Sequence, residues 1–418
     1  MKRNIFKHAA AALVVAAVAF AGCRKYDPVK VTGIKLKSAT TVFVGATETL
    51  VPNVTPADAG NKAVTWESDN PSVASVNGGT VKGESAGIAV ITATTADGGF
   101  EARCTVTVSE QQSSTVMPMT MTTAKAGEVV IYLAGTGTAT IDWGDGSEPQ
   151  AINLSAYEGR FIDSHKYTHV YSGTLARTIT VSGYSITHMR CDNNDLTALD
   201  VSKNTVLTFL ACNDNNLNSL DVSKNVALLS LYCSDNNLMS LDVSKNIVLI
   251  DLSCIGNNLT VLDVSKNIAL RSLFCNDNNL NSLDVSKNIA LRDLNCAANN
   301  LTTAMDVSNN TALQGLVCYG NNLIALDVSK NTELMELHCY NNNLTALDAS
   351  KNTVLRNLKC QSNQFTAEGL NDLFGTLNGK AGYKNIYIMN NPGTAECDQS
   401  IATGKGWEVD TTSGFLSR

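Results

Sequence analysis

From residue 186 to residue 363 the apolar positions recur with one fixed period. The unit reads Leu-x-x-Leu-x-Cys-x-x-Asn-x-Leu-x-x-Leu-Asp-Val-Ser-Lys-Asn-x-x, as in the stretch from Leu207 through Leu210, Cys212, Asn215 and Leu217. Its cysteines fall at Cys191, Cys212, Cys233, Cys254, Cys275, Cys296, Cys318, Cys339 and Cys360, always 21 residues apart except for one gap of 22. The longer gap carries an extra residue around Thr302–Met305. Upstream the pattern is different: short runs of β-branched residues alternate with Gly-rich turns over 29–109 and again over 118–185. That alternation predicts strands at Val29–Leu36, Thr47–Val54, Ala63–Glu67, Val73–Val76, Ile88–Thr95 and Ala102–Val108, then at Val129–Leu133, Thr138–Trp143, Lys166–Val170 and Arg177–Val181. Beyond residue 363 the period breaks, and Phe365–Leu377 predicts a helix with Leu370, Leu373, Phe374 and Leu377 inward.

Nine phased copies of a 21-residue unit identify a leucine-rich repeat. One coil cannot bury its own Leu and Val columns, so the coils must stack into a solenoid around a shared core. The Asn after each Cys sits where the chain leaves the strand, and its amide can satisfy backbone groups of its own coil and the next. The Asp of Asp-Val-Ser-Lys-Asn can accept a backbone N–H two or three residues on. So short a coil leaves about ten residues for the convex side, which predicts 3₁₀ or extended segments there instead of helices. The Asp and Lys columns read as solvated ion-pair ladders. The nine Cys read as a column of buried free thiols, because side chains in register on parallel strands about 4.8 Å apart point the same way and cannot converge as a disulfide requires. Tetrahedral metal ligation fails on the same geometry. These nine cysteines are therefore a structural ladder, and no metal or cofactor is expected.

The 29–109 segment carries Val44-Gly45, Val54-Thr55-Pro56, Val64-Thr65-Trp66-Glu67-Ser68, Val73-Ala74-Ser75-Val76, Gly87-Ile88-Ala89 and Cys104-Thr105-Val106-Thr107-Val108, and on these it resembles the bacterial Ig-like domain of group 2. Trp66 is expected at the centre of its core and Cys104 as a buried free thiol. A polar linker, 110–117, follows. In 118–185, Asp142-Trp143-Gly144-Asp145-Gly146-Ser147 with His169-Val170-Tyr171 resembles a PKD-like β-sandwich, which would also serve as the solenoid's N-terminal cap. Asp142, Asp145 and His165 are a conceivable acid/base or metal set, but Gly-Asp-Gly-Ser between strands reads chiefly as a tight turn. Residues 364–418 are expected to form an α/β C-terminal cap over the last coil, with Asn385–Met389 as a strand, Glu396–Thr403 as a short helix and Cys397 inside. The fold class is thus mixed and multi-domain: two N-terminal β-sandwiches, then a solenoid whose concave face is a parallel β-sheet.

Residues 1–22 read as an export signal, with Lys2, Arg3 and Lys7 before an apolar run from Ala9 to Phe20 that is too short to span a bilayer. Phe20-Ala21-Gly22-Cys23 resembles the lipobox of bacterial lipoproteins, which implies lipidation of Cys23, a short tether over 23–28 and a membrane association through lipid only. The formal charge is −7, and loss of the three leader cations makes it −10. An acidic chain lacks the basic stripe that nucleic-acid binding requires. No nucleophile or metal motif surrounds the histidines, so no catalytic residue is assigned and the chain is not read as an enzyme.

Columns that vary between coils are where a ligand can be recognised. Positions flanking each Cys, and the one before the Leu two residues ahead of it, face the concave sheet, about 40 Å long for nine strands. They include Phe209, Tyr232, Phe274, Tyr319, His338 and Tyr340, a mixture of aromatics with polar residues typical of recognition surfaces. The repeat resembles the short cysteine-ladder class found among internalins and in leucine-rich lipoproteins of Bacteroidetes. That resemblance implies a lipid-anchored adhesion protein at the bacterial outer membrane or cell surface, monomeric, presenting its concave face to a host or bacterial protein. Glycan binding on the concave aromatics is the alternative.

Overall fold

Alternation of small and β-branched residues sets the first unit, Met1–Ser114. The computed structural model describes residues 28–109, 118–160, 165–302 and 304–412, so the leader with Cys23, and the linker 110–117, lie outside the described residues. Four strands form one sheet in the order Ala39–Phe43, Glu101–Ser109, Gly87–Thr95, Val64–Ser68, the first pair parallel and the others antiparallel. A three-stranded sheet of Thr47–Thr49, Thr80–Gly83 and Ala74–Asn77 accompanies it. Ile91, Val106, Val81 and Cys104 form the fully buried centre. Trp66 is not the central ring that its sequence context suggests. It lies half-buried on an edge strand, where Gly79, at φ +86°, leaves room for the indole. The strands Ala39–Phe43 and Thr80–Gly83 have no counterpart in the sequence reading, because their Thr-rich or two-glycine contexts mask the period of two.

The second unit, Thr115–Arg418, holds everything else in one continuous core. Five antiparallel strands run in the order Gln150–Asn153, Thr138–Asp142, Arg177–Gly183, Met119–Thr123, Leu196–Asp200. The last of them belongs to the first coil. A thirteen-stranded sheet begins with Lys166–Tyr171, Gly127–Gly135 and Ile186–Arg190, paired antiparallel, and then continues in parallel through the coils. The β-module and the solenoid are therefore hydrogen-bonded on both layers and share one interior. Thr123 Oγ1 donates to Asn194 O across that junction, and Asn194 Nδ2 returns a bond to Val130 O.

Each coil contributes a three-residue strand with Leu at its centre, from Phe209–Ala211 to Asn357–Lys359. Register holds each Leu against the Leu of the next coil. The Cys after each strand is buried, and all eleven cysteines among the described residues are unpaired. Cys191 and Cys233 donate their S–H to the carbonyls of Ala211 and Ser253 in the following coil. Burial raises these thiols far above the ordinary range, to about 12 for Cys254, Cys296 and Cys339.

Two asparagine ladders fasten the coils. Asn236 Nδ2 donates to Cys212 O at 3.0 Å and Cys233 O at 3.2 Å, and its Oδ1 accepts from Leu217 N–H at 3.0 Å. The amide thus bonds its own coil and the preceding one, the reverse of the direction expected. The Asn of Asp-Val-Ser-Lys-Asn makes the second ladder: Asn246 Nδ2 bonds Val222 O and Asn225 O. Its buried Oδ1 has no partner within the protein, and the same holds in seven successive coils from Asn225 to Asn352.

The convex side holds no 3₁₀ helix among the described residues of the repeats. Instead Val222–Asn225 and Asn225–Leu228 close two linked β-turns, Asn225 N–H bonding Val222 O and Leu228 N–H bonding Asn225 O. An inward Val, an inward Asn and an inward Leu three residues apart require a chain that comes back to the core every third residue, which consecutive turns provide. Asp221 Oδ1 accepts Ser223 N–H at 2.8 Å, and the equivalent bond recurs down the column. The expected Asp–Lys ion pairs do not form: among the described residues none of these lysines lies within 4.0 Å of a carboxylate. The Asp is committed to the backbone and the Lys extends into solvent.

After the last coil, Thr366 caps a helix over Ala367–Thr376, its side chain accepting Gly369 N–H at 3.1 Å, and Leu370, Leu373 and Phe374 enter the core. Asn385–Tyr387 and Glu408–Asp410 then extend the parallel sheet, with the short helix Ser400–Thr403 between them. Cys397 is partly buried against the core.

Candidate functional site

Strand alternation decides which side chains reach the concave face. With Leu and Cys inward, the residues on either side of them point outward, and the sheet's parallel register stacks them into columns. All six sequence candidates lie on this face and all are half-buried, because each packs against its neighbours in the column. They divide into groups. Phe209 and Tyr232 sit in adjacent coils with ring centroids 5.5 Å apart. Tyr319 and Tyr340 stack at 4.3 Å with planes 7° apart. Phe274 lies between the groups, three coils from either pair's far member.

His338 shares a strand with Glu336 and precedes Tyr340 by two residues. Burial, with the Lys359 ammonium in the next strand, lowers its pKa to about 4, so the ring is neutral at physiological pH. Its Nε2 is buried without a partner within the protein. Burial, with the charge and hydrogen bond of the neighbouring Tyr319 phenol, raises the Tyr340 phenol to about 12, which keeps it a hydrogen-bonding hydroxyl.

One residue of this face carries no signal in the sequence. Tyr157, from a loop of the β-module, stacks on His188 at 4.1 Å and lies 6.1 Å from Phe209, extending the N-terminal aromatic group to four rings. Nothing in the repeat's period reaches back to residue 157. Asn276, Asn357 and Gln361 each hold a buried side-chain oxygen without a partner, a property of packing and not of residue type.

The Asp142–Ser147 segment is a turn, as its glycines suggest: Asp142 Oδ1 accepts Gly144 N–H and Asp145 Oδ1 accepts Ser147 N–H. His165 is buried elsewhere, its Nε2 3.1 Å from Ala156 O. The partner of Asp145 is instead His169, Nε2 to Oδ2 at 2.7 Å, with the imidazole stacked on Trp143 at 5.1 Å. Hydrogen bonds from Ser147 and His169 hold the Asp145 carboxyl well below its ordinary range. Among the described residues no group of three His, Cys, Asp or Glu side chains converges as a metal site.

Comparison with known proteins places the two parts of the chain. Residues 30–106 match the family of bacterial Ig-like domains, group 2. An Ig-like virion protein of Serratia phage KSP90 is 46% identical over 84 residues, 19% of this chain and 33% of that protein. An alpha-L-arabinofuranosidase of Bifidobacterium longum is 47% identical over 78 residues, 18% of this chain and 7% of the enzyme. The chain thus spans a third or less of the length of these curated relatives. Among solved structures, the functional domain of InlJ from Listeria monocytogenes, described as including a cysteine ladder, is 36% identical, covering 56% of this chain and 50% of that one with a TM-score of 0.47. The internalin InlF of the same species is 19% identical, covering 49% and 74%, with a TM-score of 0.34. The chain carries a bacterial Ig-like domain of group 2, followed by a leucine-rich solenoid with a buried cysteine ladder.

Proposed function

We propose that this is a surface-tethered binding protein, held to the membrane by lipid on Cys23, that presents the concave face of its solenoid to a protein partner. The Ig-like domain and the linker serve as a stalk, the 118–185 segment acts as a PKD-like N-terminal cap, and residues 364–418 close the far end. One observation carries the reading: the outward columns gather two aromatic groups and several buried, unpartnered polar atoms onto one continuous sheet. Buried polar atoms without partners are few in native proteins and invite an explanation, and a ligand that satisfies them is one. Aromatic side chains at such a face are the residue types that dominate interface energetics.

The test is affinity capture from host tissue and from bacterial envelope with purified protein, beside the variants Phe209→Ala/Tyr232→Ala and Tyr319→Ala/Tyr340→Ala. A partner retained by the parent and lost by either variant, with unchanged thermal melting, supports the reading. Equal capture by both variants overturns the concave site. Saturable binding on a glycan array that the tyrosine variant abolishes would replace the protein partner with a sugar.

A further inference from the structure

The strands of the concave face are short of cations, the arginines Arg271, Arg292 and Arg356 standing one residue before them beside the carboxylate rim. Seven strands from Phe209–Ala211 to Glu336–His338 contain no Lys or Arg. Along one rim Asp251, Ser272, Asp293, Gly315 and Glu336 stand in register, so a carboxylate occurs in every second coil. Among the described residues Asp293 and Glu336 have no ion-pair partner within 4.0 Å. Along the other rim, where the chain turns at positive φ, lie Asp214, Asp235 and Asp277. Burial and the charges of Asp214 and Asp277 raise the Asp235 carboxyl above its ordinary range, a sign of like-charge crowding.

Between the rims, the unpartnered atoms accept hydrogen bonds. Asn276 and Gln361 are more than nine-tenths buried, and each has a carbonyl oxygen with no donor within the protein. Asn276 Nδ2 is already engaged by Asp277 Oδ2 at 2.6 Å. The neutral His338 ring holds its unpartnered Nε2 in the same region, an acceptor when the proton is on Nδ1.

We infer that this face receives a cationic polypeptide segment lying along the solenoid axis, with Lys or Arg at about every third residue. The inference rests on the concave-face reading above and specifies its partner. Parallel strands are about 4.8 Å apart, which puts the carboxylates of alternate coils about 10 Å apart along the rim. One turn of polyproline II, three residues, spans about 9.3 Å and returns every third side chain to the same side. Basic side chains three apart would therefore meet Asp251, Asp293 and Glu336 in turn, while ammonium, guanidinium and backbone N–H groups supply the missing donors. The carboxylates do not converge in threes on one point, so a distributed cation matches them better than a single metal ion. A neutral sugar would supply donors yet leave the crowded carboxylates unrelieved.

The probe is a fluorescein-labelled dodecapeptide with Arg at every third position among Ser and Ala, compared with its Gln and Glu counterparts by anisotropy against the purified chain. Expected is saturable binding of the Arg peptide alone, weakened at least tenfold between 50 and 300 mM NaCl and at least tenfold by Asp293→Asn/Glu336→Gln. Asp263→Asn/Asp284→Asn on the convex side should leave it unchanged. Asp293→Lys/Glu336→Lys should reverse the preference towards the Glu peptide, a gain that misfolding cannot produce. Equal binding of the Arg and Gln peptides, or equal loss in the convex variant, overturns the inference. If the Arg peptide fails while partner capture still depends on Tyr319 and Tyr340, the cationic assignment falls and the concave site stands. If capture ignores those tyrosines as well, both fall.

Discussion

Asn236 shows how a single side chain can hold two coils. Its Oδ1 is the acceptor for the buried Leu217 N–H, and its Nδ2 bonds the Cys212 and Cys233 carbonyls, which also accept from Asn215 and Asn257 in the neighbouring coils. Asn246, in the second ladder, satisfies two carbonyls but carries its own unpartnered oxygen. An orphaned buried group costs about 1–3 kcal/mol, so Asn236→Leu, which orphans the Leu217 N–H, should destabilise by about that much, and Asn246→Leu by less, since its two carbonyls keep the N–H groups of Asn225 and Leu228 and an orphan is removed. Urea denaturation of the two variants checks the order, and equal losses would contradict it. The cysteines make a second residue-scale prediction. Buried, unpaired and with raised pKa, the ladder thiols should resist maleimide in the native protein, with reaction confined to the partly buried Cys397. In denaturant, a chain of residues 24–418, which lacks Cys23, should show eleven reactive thiols, one for each cysteine of the described residues. Both columns are legible from sequence because nine copies repeat them. The unpartnered oxygens of Asn276 and Gln361 are not, since they depend on which neighbours exclude water.

At the scale of elements, the helix Ala367–Thr376 and the strands flanking it follow from a local signal, apolar spacing behind a threonine cap. Thr366→Ala should cost about 1 kcal/mol, the usual value of an N-cap hydrogen bond, and lower the melting temperature without altering the far-ultraviolet spectrum. Other elements were beyond local signals. The strand Met119–Thr123 joins Arg177–Gly183 on one side and Leu196–Asp200 on the other, a pairing set by tertiary fit alone. The same holds for the seam between β-module and solenoid. Sequence reading divides them at residue 185, where the repeat begins, but a solenoid's first coil has an open edge and the strand Gly127–Gly135 covers it. Period tells where a repeat starts and is silent on what pairs with its first strand. The convex side was misread for a related reason. Ten residues exclude a helix, but only the inward placement of Val, Asn and Leu selects linked β-turns over a 3₁₀ segment.

Across the whole molecule the repeated turn makes stability depend on pH. Seven carboxylates, from Asp221 in one coil to Asp348 six coils further along the column, have pKa values held below the ordinary Asp range, chiefly by the N–H and hydroxyl of the Ser two residues on. Asp145 is shifted the same way by Ser147 and His169. A carboxyl whose pKa is lower folded than unfolded binds fewer protons in the native state, so stability falls as pH drops. Its contribution is complete above the unfolded value of about 4 and is lost as pH falls through the folded value. Each turn is solvent-exposed and individually small, but the coils share one core and report their losses together. Among the carboxylates of the described residues only Asp235 is shifted the other way, by burial and the charges of Asp214 and Asp277. The melting temperature of the purified chain should therefore decline gently below about pH 6.5, as the buried His338 and His188 resist protonation in the native state, and fall steeply between pH 4 and 2 as the turns titrate. Replacing Asp242, Asp263 and Asp284 together by Asn, which keeps the accepting oxygen and removes the charge, should lower stability at pH 7 and make the acid limb shallower. A triple variant whose acid limb stays as steep as the parent's would show that the turns are not what titrates.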